Sequence, residues 1–130
     1  MGKFSLFLGS SVLLLVSACG GNSDSEPGSC TASVEPGILI QVTDSTSGNP
    51  ISCGTHAVVT AGTYSESVDN PSGPACVDTA MLGAAHERAD TYAITVSKPG
   101  YLDFTINDVV VTAGVCHVNT VTVQAPLISM

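Results

Sequence analysis

From residue 37 onward, apolar side chains alternate with polar ones at a period of two, in segments rich in Val, Ile and Thr. Gly, Pro and Asp separate these segments, which is typical of strands joined by turns. The segments cover residues 37–43, 52–61, 63–68, 91–98, 101–111 and 115–125. They predict an all-β fold, a single antiparallel or mixed β-sandwich of about seven strands over residues 32–127.

Two stretches depart from the simple alternation. Leu102, Phe104 and Ile106 share one parity, whereas Val109 and Val111 have the other, so we expect a β-bulge near residues 107–108. Residues 79–87 are rich in helix formers and allow one or two helical turns, although Gly83 in their middle disfavours a helix.

The first 18 residues have the pattern of a secretory signal peptide, in which Lys3 precedes an apolar run of about 13 residues. That run is shorter than the roughly 20 residues that a membrane-spanning helix needs, so no permanent span is expected. Residues 15–19 (LVSAC) resemble the bacterial lipobox, which implies that Cys19 carries the lipid and begins the mature protein. The alternative is an ordinary secretory signal cut after Ala18, which leaves Cys19 unmodified.

The lipobox resemblance also implies a location in the cell envelope. Two or three acyl chains on Cys19 would hold the protein stably at membrane lipid. Gly20 in the next position favours the outer membrane, provided that the source has one. Residues 19–31 are mostly Gly, Ser and other polar residues, and we expect them to form a flexible tether.

The charge is strongly acidic. The whole chain carries a formal charge of −8, and without Lys3 of the signal peptide the remainder carries −9. Its eleven acidic residues are opposed by Arg88 and Lys98 alone. Binding to nucleic acid or adsorption to anionic lipid requires clustered basic residues, so neither is expected.

Four cysteines remain after Cys19: Cys30, Cys53, Cys76 and Cys116. An even number in an oxidising compartment predicts two disulfide bonds. Three connectivities are open, and the sequence does not choose among them. A structural zinc site is the rival interpretation, but no C-x2-C pair is present.

Several motifs together resemble the carboxypeptidase regulatory-like, transthyretin-like β-sandwich domain. They are the turn at residues 44–51, the pairs at 83–84 and 87–88, and above all residues 92–101 (YAITVSKPGY) and 116–118 (CHV). The resemblance covers nearly all of residues 32–127 and implies a sandwich that is accessory to other domains. This chain is far too short to include the zinc peptidase domain from which the family takes its name.

No catalytic, cofactor-binding or metal-binding residue is predicted. His86 and Glu87 begin an H-E-x-x-H pattern, but Asp90 stands where the second histidine is needed. A shared metal site of His56, His86 and His117 is disfavoured by base rates. Calcium bound by turn aspartates is a further alternative without a recognisable calcium loop; these aspartates are Asp44, Asp69, Asp78, Asp90, Asp103 and Asp108.

The sequence therefore favours a non-catalytic structural or protein-interaction module on the envelope, with an envelope protein as its expected partner. The alternative is a domain that binds a small ligand, a glycan or calcium. The absence of Trp and the presence of only three Tyr count against stacking on sugar rings.

Overall fold

The computed structural model describes residues 30–130. The predicted signal peptide, Cys19 and the tether up to residue 29 lie outside the described residues. The described part is all-β, and the predicted sandwich of about seven strands is confirmed. Its strands are β1 (Ile38–Asp44), β2 (Thr55–Ala61), β3 (Tyr64–Asn70), β4 (Leu82–Ala84), β5 (Asp90–Ser97), β6 (Phe104–Val111) and β7 (Val121–Leu127).

The strands form two packed sheets, with the order β4-β1-β7 in one and β3-β2-β5-β6 in the other. All neighbouring strands are antiparallel except β1 and β7, which run parallel from the pair Ile38 and Val121 to the pair Asp44 and Leu127. The first strand, β1, thus lies in the centre of its sheet, and the last strand, β7, lies beside it at the edge.

The core lies between the sheets, and both contribute alternate side chains to it as the period of two predicts. On β5 the alternate residues Tyr92, Ile94 and Val96 are all buried. The other buried apolar residues are Ile38, Ile40, Val42, Ala57, Val59, Ala61, Leu82, Ala84, Ala85, Val109, Val111, Val123, Ala125 and Leu127.

The prediction that residues 79–87 could form helical turns is wrong. Leu82–Ala84 instead forms the short strand β4, which pairs antiparallel with β1 and buries Leu82 and Ala84. Positive φ angles at Ala85 and Glu87, of 54° and 52°, turn the chain after β4. Burial against a neighbouring strand outweighs helix propensity here, because propensity amounts to only tenths of a kcal/mol per residue.

Several strand bounds also differ from the predictions. β7 begins at Val121 rather than residue 115, because residues 112–120 form a loop in which Val115 is 94 % exposed. β6 begins at Phe104 rather than residue 101, and β2 at Thr55 rather than residue 52. β3 extends to Asn70 instead of ending at residue 68.

The bulge expected near residues 107–108 is confirmed. The pairing of β5 with β6 passes from Tyr92 opposite Val109 to Ile94 opposite Ile106. One residue of β5 is thus opposed by two residues of β6, and Asp108 adopts a φ of 59°. The extra residue returns Val109 and Val111 to the core face.

Strand directions define two ends of the sandwich. The Cys30 end consists of residues 30–37 and the loops at 62–63, 85–89 and 112–120. The Cys53 end consists of residues 45–54, 71–81, 98–103 and 128–130. Within residues 30–130, no helix is long and apolar enough to cross a membrane.

We expect Ile94→Ala to lower the free energy of unfolding by about 2–5 kcal/mol, because it leaves a cavity in the packed layer between the sheets. Ile94 is fully buried at the middle of β5. Urea denaturation of the variant measures the change. Thr122→Ala, at an exposed position of β7, is the control and should change stability by less than about 1 kcal/mol. Equal losses in both variants would contradict the placement of Ile94.

Candidate functional site at the Cys30 end

The four predicted cysteines form two disulfides, Cys30–Cys116 and Cys53–Cys76. The structure thereby selects one of the three connectivities and places one bond at each end of the sandwich. The bonded cysteines are 86 and 23 residues apart in sequence. In the chain-entropy model, loops of these lengths correspond to a stabilisation of about 4.6 and about 3.4 kcal/mol. In this model the bond at the Cys30 end contributes more because it closes the longer loop.

The segment before β1 is attached to the 112–120 loop by more than the disulfide. Thr31 Oγ1 lies 2.9 Å from His117 Nε2, and Thr120 Oγ1 donates to the carbonyl of Pro36 at 2.6 Å. The amide of Val121 donates to the carbonyl of Gly37 at 2.9 Å. Cys30 and Thr31, which the sequence assigns to the tether, therefore contact the folded domain.

Gly37 lets the 85–89 loop approach this segment. Its amide donates to the carbonyl of Ala85 at 3.1 Å, and a Cβ at position 37 would lie 2.6 Å from that oxygen. A side chain there would therefore force the two segments apart.

Glu87 is the centre of the contacts at this end. Its carboxylate accepts hydrogen bonds from the amide of Glu35 at 2.8 Å, from His117 Nδ1 at 2.6 Å and from the amide of Val118 at 3.3 Å. Its own amide donates to the carbonyl of Glu35 at 3.0 Å. One side chain thus joins three segments that are distant in sequence.

These contacts lower the pKa of the Glu87 carboxyl group. The hydrogen bond from the backbone of Glu35 is the largest cause that lowers the pKa of Glu87, and those from His117 and Val118 act in the same direction. Desolvation opposes them but does not cancel them. The carboxylate form is therefore favoured by the folded structure.

Glu87, His117 and Thr31 form a chain of hydrogen bonds. When the imidazole is neutral, Nδ1 donates to Glu87 and Nε2 accepts from the hydroxyl of Thr31, which also lies 2.8 Å from Ser33 Oγ. Enzymes that activate a hydroxyl nucleophile use the same order of groups, in which a carboxylate orients a histidine that lies beside the hydroxyl. The same contacts also join Thr31 to the domain without any reaction.

Arg88 has a separate role from its neighbour Glu87. Its guanidinium lies 4.1 Å from the centre of the Tyr64 ring, a cation–π distance, and 3.9 Å from the carboxylate of Asp90. Glu66 accepts hydrogen bonds from Tyr64 Oη and the amide of Ala85. The bond to Glu66 is the main reason that the pKa of Tyr64 rises to about 12.

The three histidines do not converge. His56 lies on β2 and contacts Asp69 at 2.5 Å, His86 lies in the 85–89 loop, and His117 lies in the 112–120 loop. Within residues 30–130, no group of three or more His, Cys, Asp and Glu side chains is arranged to hold a metal ion. The turn aspartates are also dispersed between the two ends and the sheet edges.

Sequence reasoning missed the contact between Glu87 and His117, which are 30 residues apart. Cys116 ties the neighbouring His117 to the segment of its disulfide partner, but the sequence left that partner open and gave no link to Glu87. A comparison of the sequence with protein-family models and with characterised proteins finds no match. The interpretation of this end therefore depends on its geometry alone.

We expect Glu87→Gln to destabilise the fold at neutral pH and to have little effect in acid. The lowered pKa means that the carboxylate stabilises the fold above the usual glutamate range. This stabilisation is lost as the pH falls through the lower pKa of the folded state. Thermal unfolding between neutral and acidic pH measures the difference between the variant and the native sequence.

Glu35→Gln is the matched control, because it changes a neighbouring carboxyl group but keeps the backbone amide that binds Glu87. We expect a smaller effect than that of Glu87→Gln at neutral pH. A difference between Glu87→Gln and the native sequence that stays constant over the whole pH range would show that the carboxylate charge is not involved.

Proposed function

We propose that this chain is a lipid-anchored, non-catalytic module of the cell envelope, carried by Cys19 and acting by contact with another envelope protein. The observation that carries the proposal is the construction of the Cys30 end. There a disulfide and the Glu87 contacts secure the segment through which the chain enters the domain. Such reinforcement suits a domain held by its N-terminal segment.

The spacing between anchor and domain sets how far the sandwich lies from the membrane. Ten residues lie between Cys19 and Cys30, so eleven Cα–Cα steps join the two cysteines. A chain of that length spans at most about 36–40 Å when extended and roughly 17–20 Å as a flexible Gly-rich coil. Because the Cys30–Cys116 bond prevents residues after Cys30 from unravelling under load, the domain would keep this distance. Outer-membrane localisation follows in the proposal from Gly20.

The edges of the sheets restrict how a partner would bind. β4 has only three residues, β6 contains the bulge and β7 contains Pro126, and each feature discourages pairing with another strand. β3 has seven residues and no bulge or proline, but it carries Glu66 and Asp69. We therefore infer contact through side chains of loops or sheet faces rather than strand addition. This mode agrees with an accessory sandwich, as the carboxypeptidase regulatory-like resemblance implies.

The proposal predicts that Cys19→Ala abolishes two properties of the full chain in cells. They are incorporation of an alkyne fatty acid and crosslinking to a reproducible envelope protein, because both depend on the anchor. Ser29→Ala keeps Cys19 and is the matched control. Gel fluorescence measures the label, and mass spectrometry identifies the crosslinked protein. Labelling that persists in Cys19→Ala, or an anchored protein with no reproducible crosslinked partner, would overturn the proposal.

The proposed module is non-catalytic, and variants at the contacts of Glu87, His117 and Thr31 test this part of the proposal. We expect the native chain and His117→Ala to release nitrophenol from an activated acetate ester at equal rates. The reason is that the contacts serve to attach Thr31 to the domain. Thr31→Ala provides a second comparison. A native rate above that of both variants would identify a nucleophilic site and contradict this part of the proposal.

A further inference from the structure

A cavity of about 360 Å³ lies beside the bulge and is open to solvent. Three neighbouring strands and the β2–β3 turn line it, through residues 60–62, 91–93 and 107–108. Its volume is at the lower end of the range for small-molecule sites, so it fits one small ligand rather than an extended chain. We refer to it as the bulge pocket.

The pocket lies where the bulge interrupts the pairing of β5 with β6. Asn107 and Asp108 have no register partner on β5, because a bulge disrupts the ladder locally. Ala93 has no register partner on β6, but it pairs with Thr60 of β2, and its carbonyl accepts a hydrogen bond from Thr60 Oγ1 at 3.5 Å. The backbone of residues 107–108 therefore borders the pocket outside the β5–β6 register.

The side chains around the pocket are chemically mixed. Thr91 provides a hydroxyl group, Asn107 an amide and Asp108 a carboxylate, whereas the Thr60 hydroxyl donates to the carbonyl of Ala93. Within residues 30–130, neither the Asn107 nor the Asp108 side chain forms a hydrogen bond or ion pair with another residue. Both are exposed. A ligand with several hydroxyl groups could donate to the carboxylate and accept from the amide at once.

The charge of the residues around the pocket excludes some classes of ligand. Among residues 30–130, no Lys or Arg lines the pocket, and the chain carries a net charge of −8, so an anion would be repelled. Calcium needs six to eight oxygen ligands, and the pocket contains one carboxylate. Tyr92 is only 1 % exposed and offers no ring face for stacking. These features favour a neutral ligand held weakly by hydrogen bonds.

We propose that the bulge pocket binds a neutral polyhydroxylated ligand with the chemistry of a single sugar ring. The proposal is independent of the lipid anchor and of any protein partner. Asp108 keeps a left-handed backbone angle of 59° that a glycine would adopt with less strain. Aspartate is one of the few non-glycine residues that tolerate this angle, and here its exposed carboxylate borders the pocket, where the ligand would contact it.

The test uses the full chain in a detergent without a sugar headgroup, with amide resonances followed during titration. The probes are glucose, galactose and N-acetylglucosamine, each added separately. We expect at least one probe to shift the resonances of residues 60–62, 91–93 and 107–108 selectively. Asp108→Gly should weaken that binding about tenfold or more, because it removes a hydrogen bond to a charged group. Thr91→Val should also weaken it.

Asp103→Gly is the matched control, because Asp103 lies outside the pocket and has no positive φ angle. It should leave binding unchanged and lower the melting temperature. Asp108→Gly should melt no lower than the native chain, since it relieves strain. If Asp108→Gly loses binding but keeps its melting temperature, Asp108 contacts the ligand and does not merely maintain the fold.

Three outcomes would overturn the proposal. They are no selective shifts with any of the three sugars, sugar shifts that persist in both Asp108→Gly and Thr91→Val, and shifts produced by calcium chloride alone. The last outcome would identify a cation site instead.

Discussion

The apolar layer between the two sheets constrains the register of every strand, because side chains point alternately into the layer and away from it. The bulge follows from this constraint. Without an extra residue in β6, either Ile106 or the pair Val109 and Val111 would face the wrong way. Burial of each valine contributes about 1.5–3 kcal/mol, whereas a left-handed non-glycine residue costs about 1–2 kcal/mol. Packing therefore outweighs the strain at Asp108.

The side-chain alternation that this layer imposes is visible in the sequence for some strands and not for others. Alternation in β1, β2 and β5 gives their core faces correctly, since each has a clear period of two, and the change of parity in β6 locates the bulge. The alternation does not predict the structure where few residues are buried, or where a contact between residues distant in sequence determines the conformation. β4 has three residues, too few for a period, and the 112–120 loop is shaped by the bond from Cys30.

The contacts of the Cys30 end were beyond prediction for a related reason. Glu87 joins residues 35, 117 and 118, which come together only after β1, β5 and β7 have packed. Its positive φ of 52° is unusual for glutamate, and three hydrogen bonds to one carboxylate hold it in place. Local sequence contains the acidic residue and the histidine but no information on their pairing.

Of the three non-glycine residues with a positive φ, Glu87 and Asp108 have different surroundings. At Glu87 the side chain is held by hydrogen bonds within the protein, so the fold accounts for the strained backbone. At Asp108 the core requires an extra residue but does not select its side chain, because glycine, asparagine and aspartate all suit the same angle. The exposed carboxylate beside the cavity therefore has no role in packing, and in the proposed complex it accepts hydrogen bonds from the hydroxyl groups of the ligand.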